Sequence, residues 1–379
     1  MAKKLRVGII FGGRSGEHDV SIRSAASVIQ SIDRRKYTVI PIAISREGKW
    51  LSPAEAVKLL PGEAQSLLPT IPGSNSRESV AILGDPSYAG LLSLDQKGGA
   101  ANSQLLDVVF PVLHGPFGED GTIQGLLEMA NIPYVGCGVL ASSCGMDKVA
   151  MKLLFLQAGL PMCRYVWFLR SQWQSDRGRV IKMITRKLGL PCFVKPANLG
   201  SSVGVSRGND IASLERAIDL AASYDRKIVV EEAVEAREIE CAVIGNNEPK
   251  ASLPGEYVIH DPAAAFLDYT EKYSKTGNVE FVVPAPLSKT LTGRIQKMAL
   301  QAFQSIDGSG LARVDFFLTR KSKKLLINEL NTMPGLTDVS GYPKMWAASG
   351  LNYMRMLDVL IDLALDRHRE KSQNKTNRT

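Results

Sequence analysis

Two short stretches, ARVDFF (residues 312–317) and LLINELNTMPG (residues 325–335), set charged side chains inside apolar runs, and few folds can accommodate that. Side chains alternate faces along a strand, so Arg313 and Asp315 share one face of the first strand, and Glu329 and Asn331 share one face of the second. If the two strands pair, two carboxylates and an amide oxygen converge beside a guanidinium. Hard oxygen donors of this kind suit Mg²⁺ bound together with the phosphates of a substrate. A surface ladder of ion pairs would use the same residue types. Against that reading stand Val314, Phe316, Ile327 and Leu330, the flanking residues, among which unpaired charge would be costly.

The rest of the chain supplies a frame for such a pair. The N-terminal part alternates strand (Arg6 to Phe11), turn and helix start (GGRSGEHDVS), helix (Ser24 to Ile32) and strand (Tyr37 to Ile44). The stretch from Pro53 to Gly99 is rich in Pro, Gly and Ser with weak periodicity, which predicts loops with short pieces of structure. A buried strand from Asp107 to Leu113 ends at HGPFGEDG, and a helix follows from Thr122 to Ala130. This pattern predicts a three-layer α/β domain on a parallel sheet, with loops gathered at the strand ends where such sheets bind ligands. A second unit from Cys137 reads as helix 147–158, strand 164–169, helix 179–188, strand 192–195, loop, strand 203–206 and helix 211–223. The strand Lys227 to Glu231 leads into a sheet-rich third unit, completed by helices 289–306 and 352–366.

Two further loops invite chemistry. FVKPANLGSSVG, Phe193 to Gly204, sets a lysine at the end of an apolar run and then enters a Gly/Ser-rich turn whose amides and hydroxyls can cradle an anion. An exposed lysine on an ordinary hairpin would leave the same pattern. FGGRSGEHDVS and LHGPFGEDG each follow an apolar strand and each put acidic residues and a His into a glycine turn. The dinucleotide fingerprint fails there: Gly12, Gly13 and Gly16 do not fit GxGxxG, and the strand ending ISREG carries no acidic residue for a ribose. An anion or zwitterion site at these loops stays open.

Composition removes other classes. A net charge of +8 suggests nucleic acid, but residues 367–379 hold five basic residues and one Glu, which is half of the surplus, and no basic stripe interleaves with aromatics. No run approaches the roughly 18 apolar residues of a membrane span. The apolar run Val7 to Phe11 is short of the roughly seven residues a signal sequence needs. Five cysteines without a CxxC pair predict buried reduced thiols in a cytoplasmic protein.

Taken in order, GGRSGEHDVS, HGPFGEDGTIQGLLE, the run from IPYVGC to MDK, FVKPANLGSSVGVS, VVEEAVEAREIE, DYTEKY, ARVDFF and NELNTMPGLT resemble the D-alanine:D-alanine ligases, a family of ATP-grasp enzymes, from the first strand to about Asp366. The resemblance implies an α/β (α+β) chain of three-domain ATP-grasp architecture, with residues 1–136 binding substrate. Residues 137–230 would form the central subdomain with its Gly/Ser flap, and residues 231–366 the C-terminal subdomain with a lid at 255–286. Residues 367–379 would be a disordered basic tail. It implies ATP-dependent joining of two D-alanine molecules for peptidoglycan precursors. The cofactors would be two Mg²⁺ (or Mn²⁺) ions, in a cytoplasmic homodimer without nucleic-acid or membrane partners.

By position, Lys148 and Lys195 resemble the lysines on the nucleotide phosphates. Glu231, Glu232 and Val234 would hold adenine, and Glu238 the ribose. Asp315, Glu329 and Asn331 match the metal ligands. Arg313 and the Gly335 amide match the groups that stabilise the reacting carbonyl and phosphate. Glu17 would take the first ammonium, with Ser201 and Tyr273 linking it to the lid. His114 would lie near the first substrate, while Lys272 and Ser340 would hold phosphate and the second carboxylate. Two positions depart from the family pattern: Glu232, where relatives often have Lys or Gln, and Gly341, where many carry a bulkier residue. The rival readings are a D-alanine:D-lactate ligase and a non-catalytic ATP-binding protein on the same fold.

Overall fold

A computed structural model describes residues 3–68, 79–94, 100–259 and 279–375 of the chain. In the N-terminal unit, β1 (Leu5–Gly12), α1 (His18–Ser31) and β2 (Tyr37–Ile44) are followed by β3 (Trp50–Leu51), α2 (Pro53–Leu59), α3 (Gly62–Ser66), β4 (Ser79–Ile82), β5 (Gly90–Leu94), β6 (Ala100–Leu105), β7 (Val108–Val112) and α4 (Thr122–Met129). These strands form one sheet in the order β6-β5-β4-β3-β2-β1-β7. Only β1, β2 and β7 run parallel; β2 to β6 pair antiparallel. The expectation of a parallel sheet therefore needs correction. The stretch expected to be loops with short pieces of structure, Pro53 to Gly99, supplies α2, α3 and the strands β4 and β5 of four and five residues, too short for any periodicity to register in sequence.

Helices do cover both faces. Val7, Ile9 and Phe11 pack with the α1 residues Ala25, Val28 and Ile29, whereas Ile10 packs with Ile123 and Leu127 of α4. Gly12 ends β1 at φ +89°, and a Cβ there would lie 2.3 Å from the Ile44 carbonyl oxygen, so only glycine lets the chain turn at this point.

The middle sheet, β10-β9-β11-β8, comprises β8 (Tyr165–Leu169), β9 (Cys192–Pro196), β10 (Ser206–Gly208) and β11 (Lys227–Glu232), all antiparallel. It is covered by α7 (Arg170–Ser175), α8 (Arg177–Lys187) and α9 (Ile211–Tyr224). The strand expected at 203–206 begins only at Ser206, because Ser201 and Ser202 take left-handed φ values of +51° and +56° that keep the segment in a turn.

The third sheet is built on β12 (Ala236–Gly245), with β13 (Lys250–Ala251), β14 (Gly255–Ile259), β15 (Val279–Val282), β16 (Gly310–Thr319) and β17 (Leu325–Asn331). On it pack α10 (Lys289–Ser305) and also α5 (Val139–Met146) and α6 (Lys148–Gln157), so residues grouped by sequence with the middle unit share the core of the third.

The last helices, α11 (Gly341–Ala348) and α12 (Tyr353–Lys371), join the first and third sheets: Met356, Leu357 and Leu360 contact a core that contains both Ile9 and Ile244. Helix α12 runs on to Lys371, which corrects the expected disordered tail for residues 367–371; residues 376–379 lie outside the described residues. Arg367 bonds the Tyr134 carbonyl at 3.0 Å and Ser309 Oγ at 2.7 Å, and its guanidinium lies 4.3 Å from the Tyr134 ring centroid.

Candidate active site

Strands β16 and β17 pair antiparallel with Arg313 opposite Asn331 and Asp315 opposite Glu329. Val314, Phe316, Ile327 and Leu330 are buried in the core, with a register shift between Asp315 and Phe316 that sets Ile327 on the face of Leu330, and this fixes the polar set on the other face. Arg313 grips Asp315 through two bonds, Nε to Oδ1 at 2.7 Å and Nη2 to Oδ2 at 2.6 Å. Its Nε also lies 3.2 Å from Oε1 of Glu240, which sits opposite Asp315 on the flanking strand β12. Burial would lower the guanidinium pKa, but the charges of Asp315 and Glu240 hold it well above its ordinary value, so Arg313 stays a cation.

Sequence reasoning missed Glu240, although its place two residues after Glu238 on one strand put both on the same face. Asn331 accepts from the Met333 amide at 2.9 Å. Among the described residues no three His, Cys, Asp or Glu side chains are grouped to hold an ion. Two carboxylates and an amide suit a hard divalent ion whose remaining places are filled by substrate oxygens and water.

Across the cleft, the β9–loop–β10 flap carries Lys195, Gly200, Ser201 and Ser202, which line it with Lys148, Glu238, Asp315 and Glu329. Asp147 caps α6 by accepting from the amides of Val149 and Ala150, which places Lys148 in the first turn. The Lys148 ammonium donates to the Leu199 carbonyl at 2.7 Å and lies 3.6 Å from Glu329.

Glu231, expected at adenine, has its carboxylate buried between Lys195 and Lys152, each 3.0 Å away. Burial alone would raise its pKa; the two ammonium groups override that and hold it at about 2. Glu232 is turned to Arg164, accepting from its Nε at 2.7 Å and from its backbone amide at 2.8 Å. Val234 falls in the connection between β11 and β12.

At the N-terminal end, Glu17 precedes α1, and Ser201 of the flap donates a hydrogen bond to its carboxylate. Burial and the charge of Glu119 raise the Glu17 pKa, while His114, Ser201 and Lys148 oppose the rise without cancelling it. His114 is buried, with Nδ1 3.1 Å from the Met333 carbonyl and Nε2 3.2 Å from Ser24 Oγ. Burial pushes its pKa down, but the hydrogen bond and charge of Glu119 and the charge of Glu17 shift it upward on balance. The contact with Met333 ties this cluster to the loop that follows Asn331.

In that loop, a Cβ on Gly335 would lie 2.9 Å from Ser340 Oγ, and Ser340 Oγ is 2.6 Å from Thr337 Oγ1. Gly341 has a local reason to be glycine: a Cβ would lie 2.8 Å from Glu240 and 2.9 Å from the Phe281 ring. Phe281 thus fills the volume that a bulkier residue would take. Lys272 and Tyr273, and most of the lid at 255–286, lie outside the described residues. A larger cavity of about 330 Å³ opens on the α4 side of the Gly12–Gly13 turn; it shares His114 with this site and holds none of the lysines or metal-type carboxylates.

A cleft with one lysine from β9 and one from the first turn of α6, facing paired carboxylates of the third sheet below a Gly/Ser flap, defines a nucleotide-binding ligase of the ATP-grasp fold. Sequence models described as the D-ala D-ala ligase N-terminus and C-terminus match residues 6–137 and 154–362. The chain is 47% identical to a D-alanine–D-alanine ligase of Heliobacterium modesticaldum over 99% of this chain and 98% of the other. It is 46% identical to that of Bacillus licheniformis over 98% and 99%. It superposes on the D-alanine-D-alanine ligase of Coxiella burnetii with a TM-score of 0.81 at 35% identity, covering 98% and 97%. On a D-Ala:D-Ser ligase of Enterococcus faecalis the TM-score is 0.81 at 34% identity, covering 96% and 100%. The chain belongs to the D-alanine–D-alanine ligase family.

Proposed function

We propose that this chain is an ADP-forming enzyme that joins two D-alanine molecules through an acylphosphate, supplying the dipeptide of peptidoglycan precursors. The observation that carries the reading is the register of Arg313, Asp315, Glu329 and Asn331, of which Asp315 and Glu329 line one cleft with Lys148 and Lys195. A carboxylate does not condense with an amine unaided, so the first D-alanine carboxylate attacks the γ-phosphate of ATP. Both partners are anions, and Lys148, Lys195 and Arg313 offset their repulsion. Divalent ions, two magnesium or manganese, would be held by Asp315, Glu329 and Asn331 together with the phosphates and would supply further neutralisation.

Glu17 takes the first ammonium, with His114 beside it. The second amine attacks the acyl carbon, Arg313 with the Gly335 amide stabilises the resulting oxyanion, and its collapse breaks the acyl–oxygen bond and expels inorganic phosphate. Glu17, Ser201 and Tyr273 position that amine and pass on its proton, while Lys272 and Ser340 hold phosphate and the second carboxylate. Glu231 and the backbone from Glu232 to Val234 meet adenine, and Glu238 the ribose. Residues 1–136, 137–230 and 231–366 act as three domains, with the lid at 255–286 excluding water from the acylphosphate. We assign the enzyme to the cytoplasm as a homodimer; no helix among the described residues is long and apolar enough to cross a membrane.

ADP release that depends on D-alanine and on a divalent ion is the test, run with D-alanine, D-serine and D-lactate as competing acceptors. Absence of D-alanine-dependent ADP formation overturns the reading, and faster turnover with D-lactate moves it to the depsipeptide ligases.

A further inference from the structure

We propose that Lys152 is a positioning residue for nucleotide phosphates: by engaging one oxygen of Glu231 it keeps the carboxylate behind Lys195 from cancelling the positive charge that Lys195 presents to the cleft. The inference rests on the nucleotide reading of that cleft. Lys152 is 1% exposed, and its ammonium lies 3.0 Å from Glu231 Oε1, while Oε2 of the same carboxylate is 3.0 Å from Lys195. Burying an ammonium is expensive unless it is paired. The pair Glu231–Lys195 would already satisfy both of its members, so a third buried charge calls for a reason.

With only that pair, the carboxylate would cancel the lysine that an incoming polyanion must use. With Lys152 present, the trio keeps one net positive charge. Lys152 and Glu231 are sealed, whereas Lys195 lines the cleft, so the surplus is offered there. Chain geometry supports the assignment. Lys152 follows Lys148 by four residues on α6, so one helix face sends the first lysine to the cleft edge and the second behind Glu231. The Lys152 ammonium also donates to the Asn328 carbonyl at 3.4 Å, one residue before Glu329, and so spans from the middle sheet to the metal-type strand.

The test compares two ligands on the full-length chain: ADP, which carries phosphates, and adenosine, which does not. In Lys152→Met the dissociation constant of ADP is expected to rise at least about tenfold, with that of adenosine changing less than about threefold; Lys152→Arg should restore ADP binding. A folded Lys152→Met that binds ADP as tightly as the parent overturns the proposal, as does a parallel loss of adenosine, which marks a merely structural role. Should Lys152→Met fail to fold, Lys152→Gln decides: it keeps a donor for Glu231 without the charge, so ADP affinity should still fall at least about tenfold, and ADP binding within about threefold of the parent refutes the charge argument. D-alanine-dependent ADP release by the unmodified protein is measured separately, so failure of the ligase reading and failure of this inference give different results.

Discussion

Two buried charge clusters face each other across the cleft with opposite balances. On the flap side, two ammonium groups, Lys152 and Lys195, hold one carboxylate, Glu231; on the metal side, two carboxylates, Asp315 and Glu240, hold one guanidinium, Arg313. Glu231 and Lys195 stand on the middle sheet with Lys152 reaching them from α6, whereas Arg313, Asp315 and Glu240 stand on the third sheet; apolar packing backs both sheets. A pocket neutralised within itself would gain little from a charged ligand, because desolvation would consume the Coulombic return. The side richer in ammonium groups suits an anionic nucleotide, and the side richer in carboxylates suits a divalent ion.

The largest expected effect follows from removing the centre of the negative cluster. Arg313→Ala leaves Asp315 and Glu240 buried side by side with no cation between them, which costs about 3–5 kcal/mol of stability. It also removes a donor for developing negative charge, and loss of one such donor lowers turnover about 10²–10³-fold. Denaturant titration and ADP release measure the two losses. Turnover within tenfold of the parent would break the symmetry between the clusters.

Next in size is metal dependence. Glu329→Gln keeps the shape of β17 and its pairing with Asp315 but removes one anionic donor. The magnesium concentration for half-maximal ADP release is expected to rise about tenfold or more. An unchanged requirement would move the ion away from this strand pair.

How much of this was legible in sequence depends on whether the signal is local. Alternation over ARVDFF and over ELN sets Arg313 with Asp315 and Glu329 with Asn331, so their convergence needed only that the strands pair, whereas the register shift that sets Ile327 on the face of Leu330 is not readable from alternation. Glu240 was equally readable by parity with Glu238. Lys152 was not: in MDKVAMK it looks like any helical lysine, and its burial depends on where α6 docks. The β3 to β6 meander was hidden for a related reason, since strands of two to six residues are defined by neighbours distant in sequence. The basic C-terminus read as a solvated tail because nothing local shows that Arg367 meets carbonyls near Tyr134.

A third test concerns the N-terminal end, where charge is poised rather than saturated. Glu17 has a raised pKa, so folding favours its protonated form, and the ionised carboxylate that binds an ammonium is held at a cost in stability. That cost is present above the folded-state pKa and vanishes as pH falls below the ordinary glutamate value of about 4.3. Glu17→Gln is therefore expected to raise the melting temperature at pH 7 while lowering kcat/KM for D-alanine. In the unmodified protein the acid limb of kcat/KM should fall at a pH above the ordinary glutamate range. Ser201→Ala removes a hydrogen bond that opposes the rise, so it should move that limb further up. A melting temperature lowered by Glu17→Gln would show that the carboxylate stabilises its surroundings instead.

The smallest effect separates the two glutamates at the end of β11. Glu231 belongs to the positive cluster, whereas Glu232 points the other way and is held by Arg164 near the surface. An exposed pair of this kind contributes about 0–1 kcal/mol. Glu232→Gln keeps an acceptor for the Arg164 amide, so the KM for ATP should change less than about twofold. Glu231→Gln removes the charge between two lysines and should change it by a much larger factor. A large shift in Glu232→Gln would mean that this side chain leaves Arg164 when nucleotide binds and that adenine is met by its carboxylate as well as by backbone groups. The negligible shift expected leaves adenine recognition to the backbone and confines charge recognition to the cluster around Glu231.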